Sequence, residues 1–243
     1  GGPAMAAGGG TGARPLQSTW QWFEHLADAG DGARASASWD HKMRLLGKTA
    51  TVDDFWAYHD HVPPPSELFV PGVCIGRAVE SLSVFRDGVL PKWEDPSNEH
   101  GGEWYARRTF PPPVLDALWE LLLLAAVTES LDGAAAVTGV RVCDKSARGR
   151  SFHRVELWYS SQAQPEAIRT SLLHFLTTTP VDVREGPAGA PVRRPLTRAE
   201  IPKLEMRSHD VQKAVELQKE LGLVPVWKSP SNRASASEGG ENE

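Results

Sequence analysis

Cysteine is scarce in this chain, with two in 243 residues, Cys74 and Cys143, and neither stands in a C-x-x-C pair. That excludes a disulfide framework and a thiolate zinc site, and it points to a reducing compartment, cytoplasmic or nuclear. Long apolar runs are missing too. The longest, Leu121 to Val127, falls far short of the roughly 20 residues that span a bilayer, and no charged-then-apolar leader opens the chain, so a soluble protein without a membrane partner is expected. An excess of basic charge is also absent: 26 Lys and Arg against 31 Asp and Glu leave −5. Any grip on nucleic acid must then be local, because a protein that neutralises a long phosphate backbone needs the opposite balance. Of eight His, only His59-Asp60-His61 form a group, and positions two apart on a helix do not share a face, so neither a metal site nor a cofactor is expected. Cys143 and His153 lack an orienting third group, which leaves no catalytic constellation and no enzyme.

What the chain has in plenty is tryptophan, nine against three Tyr and seven Phe, more than a core of this size ordinarily requires. Alternation and β-rich composition predict strands around Trp20–Phe23, Lys42–Leu46, Leu82–Arg86, Trp104–Arg108, Val137–Cys143 and Phe152–Tyr159. Thr51, with acidic residues following and Phe55-Trp56 beyond, has the signature of a helix N-terminus, and Pro63-Pro64-Pro65 would stop that helix. Further helices are predicted over Val114–Leu131, Pro165–Leu176 and Ser208–Leu221. The segment from Gly186 to Pro202, rich in Pro, Gly and Arg, reads as a long surface loop. Residues 1–13, Gly/Ala-rich and partly an expression remnant, and residues 228–243 read as disordered tails around one α+β domain, 14–227, with an antiparallel sheet.

Trp39 and Trp93 sit in turn-rich surroundings where a core cannot easily absorb them, and Glu94 adjoins Trp93. Two parallel indoles make a slot for a flat ring, strengthened by about 0.5–2 kcal/mol if the ring is cationic. A carboxylate beside the slot can accept two adjacent N–H groups from a guanine edge, a contact that discriminates by about 1–3 kcal/mol. The alternative is that these residues pack a loop. Arg141, Lys145, Arg148, Arg150 and Arg154 form a basic cluster, suited to phosphate oxygens or simply solvated. On the helix from Val114, Leu115, Leu118, Trp119, Leu122 and Ala126 form one stripe, while Ala117, Leu121 and Leu124 fall opposite. A second apolar stripe, with Trp56, suggests a partner surface.

These blocks resemble the eukaryotic translation initiation factor 4E family of mRNA cap-binding proteins. "RPLQSTWQWF" at 14–23, "TVDDFW" at 51–56 and "FRDGVLPKWEDPSNEHGGEW" at 85–104 occur in the family's order, and the resemblance covers roughly Arg14 to Val183. It implies a curved antiparallel sheet with helices on its convex face and a cap-binding slot on the concave side. By the same resemblance Trp39 and Trp93 sandwich 7-methylguanine, Glu94 reads the guanine edge, Trp158 lies against the methyl group, and Arg141 contacts phosphate, with Lys145, Arg148 and Arg150 as further phosphate ligands. Pro15, Leu16, Val52, Trp56, Leu121, Leu123 and Leu124 would form a dorsal surface for a Tyr-x-x-x-x-Leu-φ helix from a 4G-type scaffold or a 4E-binding protein.

The implied function is cap binding that starts cap-dependent translation, by a protein monomeric on its own. A cap-binding repressor or storage factor, and an interaction module with a weakened cap site, are the alternatives. Three departures stand out. Cys143 replaces a usual phosphate-binding lysine, Glu103 replaces the arginine common before Trp104, and Leu121 replaces a usual acid on the dorsal helix. An insertion around Val73–Ser81 and an unfamiliar part from Arg184 onward complete the differences.

Overall fold

The computed structural model describes residues 13–27, 39–70, 72–74, 77–147, 149–184 and 190–210, with the side chains of Trp39 and Asp40 outside the description. Strands β1 (Pro15–Leu26), β2 (Met43–Thr51), β3 (Val79–Arg86), β4 (Gly102–Arg108), β5 (Val137–Asp144), β6 (His153–Tyr159) and β9 (Glu205–Ser208) form one curved antiparallel sheet in the order β2-β1-β3-β5-β6-β4-β9. A separate hairpin pairs β7 (Val181–Arg184) with β8 (Pro191–Arg194). Register shifts in the β1–β2, β1–β3 and β5–β6 ladders mark bulges, which bend a sheet and raise its twist.

Side-chain parity divides the sheet into two chemically different faces. One row runs Trp22, Val84, Val140, Leu157, Trp104 and Met206 across six strands. The next row over runs Phe23, Ser83, Arg141, Glu156, Tyr105 and Glu205. The apolar rows carry the helices and the main core; the polar rows line the concave side. Because a slip of one residue would exchange the two sets, this pattern fixes the register.

Among the helices, α1 is a single turn (Trp39–Lys42), followed by α2 (Val52–His61), α3 (Pro65–Leu68), α4 (Pro112–Val127) and α5 (Pro165–Thr178). The cap predicted for α2 is present: Thr51 Oγ1 accepts the Asp54 N–H at 3.1 Å, with Asp53 and Asp54 complementing the positive end of the helix. Helix α4 starts two residues earlier than predicted, since Pro112 occupies the first turn where its missing N–H costs nothing. It also stops four residues early. Thr128 donates its hydroxyl to Leu124 O and Glu129 takes a left-handed φ of 51°, where Arg86 holds its carboxylate at 3.0 Å.

One expectation is corrected here. The segment after Gly186 is not simply a surface loop: its described part forms β8 and buries Leu196 and Ile201 in the main core. Strand β9, also from the divergent part beyond Arg184, adds an edge to the central sheet against β4. Of the helix predicted over Ser208–Leu221, Ser208 belongs to β9, His209 and Asp210 are helical, and everything past Asp210 lies outside the described residues.

Candidate functional site

On the concave side, the loop between β3 and β4 answers why an indole and two acids stand together in "PKWED". Asp95, 6% exposed, is the buried acid. Its carboxylate accepts the backbone N–H groups of Leu90 and Ser97, both at 2.9 Å, so the desolvated charge is matched by donors. Asn98 completes the frame by donating to the carbonyls of Leu90 and Lys92, both at 2.9 Å. With Asp95 and Asn98 turned inward, Trp93 is left half-buried and Glu94 exposed at the outer turn. The Asp-x-Ser pattern, a side chain capping the amide two residues on, was the available signal for this frame.

Beneath the loop lies a small apolar cluster of Phe23, Phe85, Val89 and Trp158, with Met43 and Leu90 against it. Met43 directly follows α1, which opens with Trp39, and Leu90 is three residues before Trp93. The three segments carrying Trp39, Trp93 and Trp158 therefore converge on one patch. Gly139 makes room for it, because a Cβ there would lie 2.3 Å from the Phe85 ring.

Trp158 itself is closed in. Its ring meets the edge of Phe85 at 5.4 Å and lies 4.6 Å from His209, and its indole N–H donates to Glu156 at 2.7 Å. Contact between a ligand and this indole face requires His209 to move. The His209 Nδ1–H donates to Asn98 O at 2.7 Å, and its backbone N–H donates to Gly101 O. Burial holds its pKa below the usual histidine range. His209, from the unfamiliar C-terminal part, thus ties β9 to the Trp93 loop; no sequence pattern announced it.

Three cations of the basic cluster, Arg141, Lys145 and Arg154, are already paired. Arg141 Nε lies 3.1 Å from Glu156 Oε2, and Arg154 Nε lies 2.9 Å from Glu156 Oε1. Arg154 also bonds Glu103, which has Arg207 Nε at 3.7 Å on its other side. Burial works to raise the Glu156 pKa, but Arg141 and Arg154 outweigh it and hold it low. Glu103 goes the other way, pushed up to about 7 by burial and then by Glu156, against the pull of Arg154, Arg141 and Arg207. Burial raises the Cys143 thiol to about 11, so beside Arg141 it is a neutral thiol and no anion. Lys145 pairs with Glu80 at 2.6 Å, Arg150 is exposed, and Arg148 lies outside the described residues. Glu156 was legible as part of an alternating strand, but its role as the hub of two arginines and an indole appears only when the strands are in register.

On the opposite side, β1 and α2 bring Pro15, Leu16, Val52 and Trp56 together: Pro15 is paired with Thr51, and the Val52 N–H donates to Arg14 O at 2.9 Å. Trp56 is 39% exposed and Leu124 half-buried. Leu121 and Leu123 are corrected, each 0% exposed inside the main core. Helix α4 packs on the sheet and is flanked by α3, α5 and β7, so Ala117 and Leu121 of its second apolar stripe are covered, and beyond the prolines of its first turn only a line through Asp116, Glu120 and Leu124 reaches solvent. Among the described residues no His, Cys, Asp and Glu grouping could hold a metal ion, and no helix is long and apolar enough to cross a membrane.

Residues 15–183 match the family model of eukaryotic initiation factor 4E. The chain belongs to the eukaryotic initiation factor 4E family. Its similarity to family members is moderate: 36% identity over 117 residues to eukaryotic translation initiation factor 4E-5 of Caenorhabditis elegans, covering 47% of this chain and 51% of that protein. Against the Homo sapiens factor 4E it is 31% identical over 160 residues, covering 63% and 64% respectively. The chain thus spans about half to two thirds of the length of these 4E relatives. Among solved structures it is similar to a schistosome eIF4E complexed with m7GpppA and 4E-BP, with TM-score 0.59 and 22% identity over 84% of this chain and 92% of that one. It is equally similar in fold to C. elegans eIF4E-3 in complex with the 4E-binding protein Mextli and a cap analog, with TM-score 0.59 and 23% identity over 83% and 96%. These likenesses bear out the α+β architecture.

Proposed function

We propose that this chain binds the 7-methylguanosine 5′ cap of mRNA and, through its dorsal surface, recruits a 4G-type scaffold or another 4E-binding protein to start cap-dependent translation. Trp39 and Trp93 stack on the two faces of the methylated base, Glu94 accepts hydrogen bonds from the guanine edge, and Trp158 meets the methyl group once His209 yields. Pro15, Leu16, Val52, Trp56 and Leu124 form the dorsal contact. The protein acts as a monomeric binding factor in the cytoplasm or nucleus, without catalysis. The observation that carries this reading is the convergence of the three tryptophan-bearing segments on the cluster of Phe23, Phe85, Val89 and Trp158, with Asp95 and Asn98 fixing the Trp93 loop above it. The ligands and partners named for the schistosome and C. elegans relatives agree with it.

Aromatic stacking contributes about 1–3 kcal/mol per base face by truncation, so Trp93→Ala is expected to lose about tenfold to a hundredfold in affinity for 7-methyl-GTP. Intrinsic tryptophan fluorescence measures it. Undiminished quenching by the variant, or equal quenching of the wild type by unmethylated GTP, would refute the stacking assignment. A second reading, an interaction module with a weakened cap site, draws on Arg141 being held by Glu156. It predicts no saturable quenching of the wild type by 7-methyl-GTP.

A further inference from the structure

Resting on the cap-binding reading, we infer that Glu103 and Glu156 make this site select its nucleotide by the methylated base rather than by the length of the phosphate chain. The concave rows place Arg141, Arg154 and Arg207 on one stretch of sheet, a guanidinium array of the kind that takes phosphates. In this chain the array already holds two carboxylates. Glu156 sits between Arg141 and Arg154, opposite Arg141 on β5 and Tyr105 on β4, with its side chain 1% exposed. Glu103 sits between Arg154 and Arg207, opposite Trp158 on β6 and Arg207 on β9, with its side chain 5% exposed.

A phosphate entering the array must either displace a buried carboxylate from its guanidinium, leaving that carboxylate desolvated and unpaired, or stand close to it and be repelled. Neither carboxylate can turn away to water, because each is enclosed. Glu156 is held further by the Trp158 N–H at 2.7 Å, so moving it would also release the indole at the base site. Cys143 adds no compensating charge where it faces Arg141 at 3.1 Å. The raised pKa of Glu103 is a second sign that negative charge is crowded here. The base slot, built from Trp93 and Glu94 on the loop pinned by Asp95 and Asn98, uses none of these groups.

Where a guanidinium is free, one charge-assisted contact to phosphate is worth about tenfold to a hundredfold in Kd. The test is fluorescence titration of the full chain with 7-methyl-GMP, 7-methyl-GDP and 7-methyl-GTP at fixed ionic strength and about pH 8, above the Glu103 range, so that its carboxylate is charged. Wild-type Kd values within about threefold of one another are expected, since each guanidinium of this array already faces a carboxylate and gains little from the added phosphates. Glu103→Gln and Glu156→Gln, which keep the shape and an acceptor oxygen while removing the charge, are expected to steepen the series, with the triphosphate gaining about tenfold over the monophosphate. Glu103→Gln serves if Glu156→Gln fails to fold. A wild-type preference of tenfold or more for the triphosphate overturns the inference, as does an unchanged flat series in a folded Glu103→Gln variant. Absence of saturable quenching by all three nucleotides would instead overturn the cap-binding reading and this inference with it.

Discussion

Replacing Asp95 by alanine tests the claim that a buried acid, rather than the tryptophan beside it, builds the loop. In the native chain the carboxylate takes two backbone N–H bonds at 2.9 Å in a site 6% exposed. Hydrogen bonds to a charged acceptor contribute about 1.5–3 kcal/mol each, and leaving a buried amide unpaired costs about 1–3 kcal/mol. Two such amides, one at each end of a loop that water can partly enter in the variant, give an expected loss of about 2–4 kcal/mol. For a domain of this size that lowers Tm by roughly 4–16 °C. Urea unfolding followed by tryptophan fluorescence should show a lower midpoint with an unchanged m-value, because the loop is lost without a change in overall compaction. Binding of 7-methyl-GTP should weaken in the same variant, since Trp93 and Glu94 no longer sit on a fixed frame. Native midpoint and native affinity together in Asp95→Ala would refute the reasoning.

The dorsal surface gives a separable expectation: Trp56→Ala should leave cap-analogue binding intact and lower capture of a Tyr-x-x-x-x-Leu-φ peptide by about tenfold or more, as truncation of an exposed aromatic anchor commonly does, and equal capture by both proteins in a pull-down would count against that surface. At Gly139, alanine would set its Cβ 2.3 Å from the Phe85 ring, so a loss of about 1–3 kcal/mol is expected from overpacking; native thermal stability would show that the patch under Trp158 is loosely packed. Glu103 has a folded pKa above its ordinary value, so the native state holds its proton more tightly than the unfolded state and stability falls as pH rises from about 4.5 through about 7. Glu156, Arg154, Arg141 and Arg207 all act on it, with the Tyr159 hydroxyl near it from the core side, and Glu103→Gln should flatten that fall in thermal unfolding measured across the window; an unchanged slope would assign it to other groups. Glu80 behaves oppositely, held down to about 2 first by His25 and then by Lys145 against burial, so its contribution is present above pH 4.5 and lost as pH falls toward 2; Lys145→Met should shrink that acid loss, seen as a smaller difference in urea midpoint between pH 5 and pH 3.

Much of this architecture was legible in the chain itself. The strands around Trp20–Phe23, Leu82–Arg86, Trp104–Arg108, Val137–Cys143 and Phe152–Tyr159 were found because alternation is a local property, and the α2 cap because Thr51 and Asp54 are three residues apart. Helix α4 was found for the same reason, but its burial was misjudged. A helical wheel shows two apolar stripes without saying that α3, α5 and β7 flank the second, which puts Leu121 and Leu123 in the core.

Local pattern and ordered motifs along the sequence thus determined the types of those elements, the family and the segments that bear Trp39, Trp93 and Trp158, but not β8 or β9. Only the tertiary structure decided which charges are free. Arg141, Arg154 and Glu156 were visible as residues, yet whether an arginine waits for phosphate or is already satisfied depends on what lies across the strand. Glu156 reaches Arg141 from a neighbouring strand, Glu103 reaches Arg154 from another, and His209 closes over Trp158 from 51 residues away in sequence. Electrostatic pairing is set by distance in space, and no spacing along the chain encodes it until the register is fixed.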